Sequence, residues 1–113
     1  MASRRKEHQE DTKLRVLHII SNNPQMTSRE IAHKVGISNG SAYYLLTSLI
    51  DKGLIKLENF KKSKQKIKFS YLLTQKGIRE KSYITRKFLM RKKQEYKLLK
   101  KEITDLERDL GMY

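Results

Sequence analysis

The sequence predicts a mainly α protein with a small β-hairpin: three short helices, a basic two-stranded hairpin and one long C-terminal helix. Three observations carry this expectation. Apolar residues recur at helical spacing in three segments between residues 11 and 51, and the period shifts to two between residues 55 and 73. After Gly77 neither glycine nor proline interrupts a helical pattern that runs to about Leu110. At 113 residues the chain has room for one small core and an appendage.

Residues 1–10 are polar and charged and are expected to form a flexible basic N-terminus. From Asp11 the pattern is helical: Leu14, Val16, Leu17, Ile19 and Ile20 form a wide apolar stripe, ended by Ser21, Asn22, Asn23 and Pro24, the only proline. Thr27 and Glu30 then have the spacing of a capping box, in which a hydroxyl and a carboxylate satisfy free N–H groups reciprocally at a helix start. Ile31, Ala32 and Val35 give this short second helix its apolar edge, and Gly36 stands where a residue able to take positive φ would end it. Ile37 follows as an apolar plug, and Ser38 caps a third helix. In that helix Ala42, Leu45, Leu46 and Leu49 fall at i, i+3, i+4 and i+7, one buried stripe.

The small Ala32, the glycine turn and the apolar residues on either side of it resemble the DNA-binding helix-turn-helix. The first helix is needed behind the pair, because two helices alone cannot enclose a core. Off the stripe of the third helix lie Asn39, Gly40, Ser41, Tyr43, Tyr44, Thr47 and Ser48, all small, polar, or aromatic with a hydroxyl. Such a face can reach base edges. Asn39, Ser41, Tyr43, Tyr44 and Thr47 are the expected base contacts, with Gly40 admitting close backbone approach. Ser28 and Arg29, joined by Arg4, Arg5 and Lys6, are the expected phosphate contacts. The plainer alternative is a packed helix pair with no ligand.

Gly53 stops the third helix, and the period then changes. Ile55, Leu57 and Asn59 alternate with Lys56, Glu58 and Phe60, and Ile67, Phe69, Tyr71 and Leu73 alternate with Lys68, Ser70 and Leu72. Between them KKSKQK is too polar to bury, so the strands are expected to pair antiparallel with Lys61, Lys62, Lys64 and Lys66 at the tip. A basic hairpin after a recognition helix is a wing. Lysines also protect sheet edges from aggregation, but four in six residues exceed that need.

GLIKLENF, the basic tip and YLLTQKG, following ISNGSAYYLLTSLIDKGLI, resemble the winged helix-turn-helix of MarR-type bacterial transcriptional regulators, and the resemblance runs from about Asp11 to Leu110. That family's Leu-Thr-x-x-Gly signature falls here on Leu73, Thr74 and Gly77. The wing and the helix after it are most similar to a compact branch of the family associated with exopolysaccharide gene clusters. The resemblance implies a winged helix-turn-helix over residues 11–77 and a coiled-coil-like dimerisation helix over residues 78–113. Two departures stand out. The tip carries lysines where larger members usually carry arginine, and lysine suits phosphate better than a fixed bidentate contact. Larger members also build a dimer interface from extra helices, with a pocket for small aromatic effectors; with little beyond one C-terminal helix, no such effector pocket is expected.

Thr74 can cap the last helix, whose roughly 33 residues would span about 50 Å, too long to pack wholly on so small a domain. Leu89, Lys92, Tyr96, Leu99, Ile103, Leu106 and Leu110 recur at alternating spacings of three and four, the core repeat of a coiled coil with one polar break at Lys92. A homodimer through Leu89, Tyr96, Leu99, Ile103, Leu106 and Leu110 is expected; the alternative folds the stripe back on its own domain. Glu95 and Lys100 suit a parallel seam and Glu102 and Glu107 oppose it, so the helix direction stays open. The basic run Arg79, Lys81, Arg86, Lys87, Arg91, Lys92 and Lys93 is read as a solvated face, some of it meeting phosphates.

Lys and Arg total 26 against 12 acids, a net charge of +14 that favours a polyanionic partner. The excess is concentrated: residues 60–93 hold 13 basic side chains and one acid, whereas residues 94–113 hold four and five. The absence of cysteine excludes disulfides, thiolate nucleophiles and Cys-based zinc sites. No signal peptide or membrane span is evident, so a cytoplasmic protein is expected. His8, His18 and His33 are scattered, and no phosphate loop, nucleophile elbow or metal motif occurs, so neither catalysis, metal nor cofactor is expected. Glu7, Glu10, Asp11, Glu30 and Asp51 read as helix-start and surface charges. The expected function is a homodimeric, sequence-specific regulator of transcription on an inverted-repeat site in double-stranded DNA. Its rivals are a winged-helix protein-interaction module with only non-specific nucleic-acid binding, and an RNA binder stacking bases on Tyr43 and Tyr44.

Overall fold

The computed structural model describes residues 2–63 and 66–112, and the side chains of residues 5–59 and 69–112. The order is α1 (Ala2–Asn22), α2 (Ser28–Val35), α3 (Asn39–Asp51), β1 (Ile55–Ser63), β2 (Lys66–Leu73) and α4 (Gln75–Asp109). This is the winged helix-turn-helix expected from the sequence, followed by the long helix. Val16, Leu17 and Ile20 of α1, Ile31 and Val35 of α2, and Leu46 and Leu49 of α3 meet Leu54, Ile55 and Ile84 in one core. Leu14, Ile19, Ile37, Leu45, Tyr71 and Leu73 pack around it half-buried.

The first helix starts at Ala2, not near Asp11. Residues 2–10 are rich in Ala, Arg, Lys, Glu and Gln, good helix formers, with no glycine or proline to stop the helix extending backward. α4 also anchors this part of α1. The Lys87 ammonium lies 3.2 Å from Glu10, and Arg91 donates to both oxygens of Asp11 at 2.7 and 2.8 Å. Lys13 meets Glu80 at 3.3 Å on the same seam. Glu10 and Asp11 therefore hold two helices together and are not merely helix-start charges. Lys87 and Arg91, read as solvated or phosphate-facing, have partners within the chain. The Asp11 hydrogen bond holds the Arg91 guanidinium above its ordinary pKa.

The strands pair antiparallel, with Ile55 opposite Leu73, Leu57 opposite Tyr71 and Asn59 opposite Phe69, and the register slips between Lys61 and Ser63. Only the root of this hairpin enters the core. Ile55 is buried, whereas Leu57 and Phe69 are exposed because the strands outrun the helices beneath them. The Tyr71 N–H donates to the Pro24 carbonyl at 3.0 Å, tying the returning strand to the loop after α1.

Thr74 and Gly77 fasten α4 to the wing. The Thr74 hydroxyl lies 2.6 Å from the Gly53 carbonyl oxygen and 3.1 Å from that of Leu54, and it accepts the Gly77 N–H at 3.0 Å. The Thr74 N–H donates to the Leu54 carbonyl at 3.0 Å. A Cβ on Gly77 would strike that same Leu54 carbonyl, so the helix can approach only without one. The Leu-Thr-x-x-Gly signature is thus a packing device. Beyond Arg91 every described residue of α4 is exposed, and the molecule measures 72 × 24 × 23 Å. Among the described residues no helix is long and apolar enough to cross a membrane.

Candidate nucleic-acid interface

The second and third helices are fixed by their caps. Thr27 accepts the Glu30 N–H at 3.2 Å, and the Glu30 carboxylate reaches back to the Thr27 N–H at 3.5 Å, closing the capping box. Gly36 ends α2 at φ 80°, a conformation that penalises any Cβ, and donates its N–H to Ala32. Ser38 then starts α3 by accepting the Ser41 N–H at 3.0 Å. Ala42, Leu46 and Leu49 turn inward, so the rest of α3 must turn out.

Asn39, Gly40, Ser41, Tyr43, Tyr44 and Thr47 are all exposed on that outer face, with Tyr44 at 78%. Ser48 is half-buried. A Cβ on Gly40 would have nothing within 4 Å, so no contact within the fold requires glycine there. Burial raises the phenol of half-buried Tyr71 in the wing above its ordinary pKa of 10.0, and Tyr43 adds to the rise. α3 packs beside β1 at the root of the wing. Ser28 and Arg29 open α2, where free N–H groups and the helix dipole favour an anion; Arg29 is exposed and Ser28 half-buried.

The hairpin ladder places Lys61 opposite Ile67 and Lys66 opposite Ser63, at its far end. Lys64 lies outside the described residues, as do the side chains of Arg4, Lys61, Lys62 and Lys66. Arg5 and Lys6 are exposed on α1. On α4, Leu89, Tyr96, Leu99, Ile103, Leu106 and Leu110 are exposed in one stripe. Lys92, the polar break in that stripe, pairs with Glu95 of its own helix at 3.1 Å and lies 5.2 Å from the Phe88 ring centre.

Sequence reasoning missed a groove of about 1260 Å³ between α1 and α4. Leu14, Ile19, Ile78 and Phe88 supply its apolar surface, and Arg15, Lys34, Lys81 and Arg86 its basic rim. Its only sequence signal is the pair of small residues Ser82 and Thr85 on the α4 face that carries leucines further on. Among the described residues no cluster of His, Asp or Glu could hold a metal ion.

Residues 9–56 match the winged helix-turn-helix DNA-binding family. No curated protein matches the chain. Among solved structures the chain is similar to a PadR-like transcriptional regulator from Bacillus cereus, with a TM-score of 0.68 and 24% identity over 77% of this chain and 89% of that one. It is also similar to a mutant of S. aureus MepR bound to an oligodeoxyribonucleotide, with a TM-score of 0.62 and 18% identity over 95% and 88% of the two chains. A MarR/EmrR family transcriptional regulator from Acinetobacter sp. ADP1 gives 0.60 and 17% over 86% and 75%. At these identities the likeness is one of fold.

Proposed function

We propose that this protein is a cytoplasmic, homodimeric transcriptional regulator that binds an inverted repeat in double-stranded DNA, with α3 of each copy in a major groove. The observation that carries the reading is the outer face of α3, which exposes hydrogen-bonding groups where a protein-interaction module would expose apolar ones. The match of residues 9–56 to winged helix-turn-helix DNA-binding domains and the DNA-bound state of the MepR mutant support it. Asn39, in the first turn of α3, would bond N6 and N7 of an adenine together, with Ser41, Tyr43, Tyr44 and Thr47 reading or flanking neighbouring positions. Ser28, Arg29 and the wing lysines would meet phosphates and set affinity without reading sequence. The dimer would form through the exposed stripe of α4. The wing resembles that of the compact, exopolysaccharide-associated MarR branch, and that resemblance supports a regulator of this type.

The test is selection of bound duplexes from a random pool, followed by competition titration of two variants. Asn39→Ala is expected to weaken the selected site by about 1–3 kcal/mol, relaxing one base pair per half-site while non-specific binding stays nearly unchanged. Gly40→Ala is expected to fold at least as stably, because the position is open and alanine favours helix, yet to lose affinity where the backbone must approach DNA. If no motif emerges, or Asn39→Ala loses affinity equally for every sequence, the interaction-module reading replaces this one.

A further inference from the structure

We infer that α4 pairs antiparallel with α4 of a second copy, in a register that seats the acidic C-terminal end of each in the α1/α4 groove of the other. The inference rests on the homodimer reading and adds its direction, its register and the seat of its ends.

The groove and the exposed stripe belong to one helix face. Positions 78, 82, 85, 89, 92, 96, 99, 103, 106 and 110 alternate spacings of four and three without a break, so all lie along one side of α4. Ile78, Ser82, Thr85 and Lys92, in the first half, line the groove beside α1. Tyr96, Leu99, Ile103, Leu106 and Leu110, in the second half, are bare. The same face is a trough at one end and a ridge at the other.

That repeat is symmetric about residue 94. Antiparallel pairing about this point sets Leu110 against Ile78, Leu106 against Ser82, Ile103 against Thr85 and Leu99 against Leu89. Large side chains of the ridge then meet small ones of the trough, and the leucines reach the apolar surface of Leu14, Ile19 and Phe88. Parallel pairing would instead put Ser82 on Ser82 and Thr85 on Thr85, leaving the trough unfilled.

Charge selects the same direction. Residues 75–93 carry eight basic side chains and only Glu80 as an acid, whereas residues 102–109 carry Glu102, Asp105, Glu107 and Asp109 against Arg108 alone. The antiparallel register brings Glu107 and Asp109 beside Arg79 and Lys81, with Arg15 and Lys34 on the groove rim behind them. A parallel pair would align acid with acid and base with base along its length, and like charges at flanking positions disfavour that pairing.

The chain has no cysteine, so an introduced pair reports the geometry directly. Thr85→Cys and Ile103→Cys alter exposed positions of α4. A disulfide forms only when the two Cα atoms lie within about 7 Å. Co-expressed with tags of different size and oxidised, the two variants are expected to give about tenfold more cross-linked product than either alone. Cross-linking of Ile103→Cys to itself, with none between the variants, would mean a parallel seam and overturn the inference while leaving the dimer intact. A dimer in sedimentation that cross-links in neither way would place the interface elsewhere and also overturn it. A monomer in sedimentation would sink the homodimer reading itself.

Discussion

Removing the Thr74 hydroxyl isolates the contact through which the wing holds the long helix. Thr74→Ala deletes the N-cap of α4, which contributes about 1 kcal/mol, and the hydrogen bond to the Gly53 and Leu54 carbonyls, which contributes about another 1 kcal/mol net. Thr74 is half-buried, so water can satisfy part of what is lost, and about 1.5–2 kcal/mol is the expected destabilisation. With a urea m-value of about 2 kcal/mol/M, the midpoint of unfolding should fall by nearly 1 M, and Tm by about 6–8 °C. Thr74→Ser keeps the oxygen and should stay within about 0.5 kcal/mol of wild type. The assay is urea unfolding followed by circular dichroism, at one protein concentration because the stability of the proposed dimer would depend on it. Equal loss in both variants would assign the effect to the methyl group and refute the hydrogen-bond argument.

Gly77→Ala gains helix propensity but drives a Cβ into the Leu54 carbonyl, and overpacking against backbone should win with a net loss of about 1–3 kcal/mol by thermal melting. Asp11→Asn removes the bidentate charge-assisted contact to Arg91 and should cost about 1 kcal/mol in urea unfolding, whereas Glu10→Gln, at a single longer contact, should change stability by less than about 0.5 kcal/mol. Replacing Lys62 and Lys64 by Ala should flatten the plot of log K against log salt by about 1.8 without changing the preferred site; an unchanged slope would mean the tip makes no phosphate contact.

The helix-turn-helix was legible because its determinants are local. Thr27 with Glu30, Gly36, and Ser38 each act within four residues of chain, so their spacing alone implies the geometry the structure has. The hairpin was legible for the same reason: a change of period marks it whatever it packs against. What was hidden lies at long range. Asp11 and Arg91 are 80 residues apart, and neither carries a local mark that it will find the other. Without that contact the start of α1 at Ala2 could not be inferred, because propensity alone does not hold a helix end in place. The groove was hidden too, since Ser82 and Thr85 look like unremarkable helix residues until α1 lies alongside. In the signature Leu73, Thr74 and Gly77 the cap was legible and the need for glycine was not; its cause is the Leu54 carbonyl, 23 residues before Gly77.

The proposed seam and the proposed operator constrain each other. Past Gly77 the buried side chain of α4 is Ile84, near the middle of the stretch from Thr74 to Arg91 that anchors the winged domain to the helix. In an antiparallel pair symmetric about residue 94, the two anchors stand ten residues on either side of the axis, so they are separated along the helices by about 30 Å at 1.5 Å per residue. Successive major grooves on one face of B-DNA are about 34 Å apart, a spacing of the same order as that between the anchors. A parallel pair would hold both anchors at the same height, with no axial separation at all. The spacing of selected half-sites therefore tests the proposed seam together with the cross-link. Half-site centres about 10 base pairs apart are expected. A selection that returns inverted repeats at some other fixed spacing would keep specific binding by α3 and reject this separation of the two winged domains.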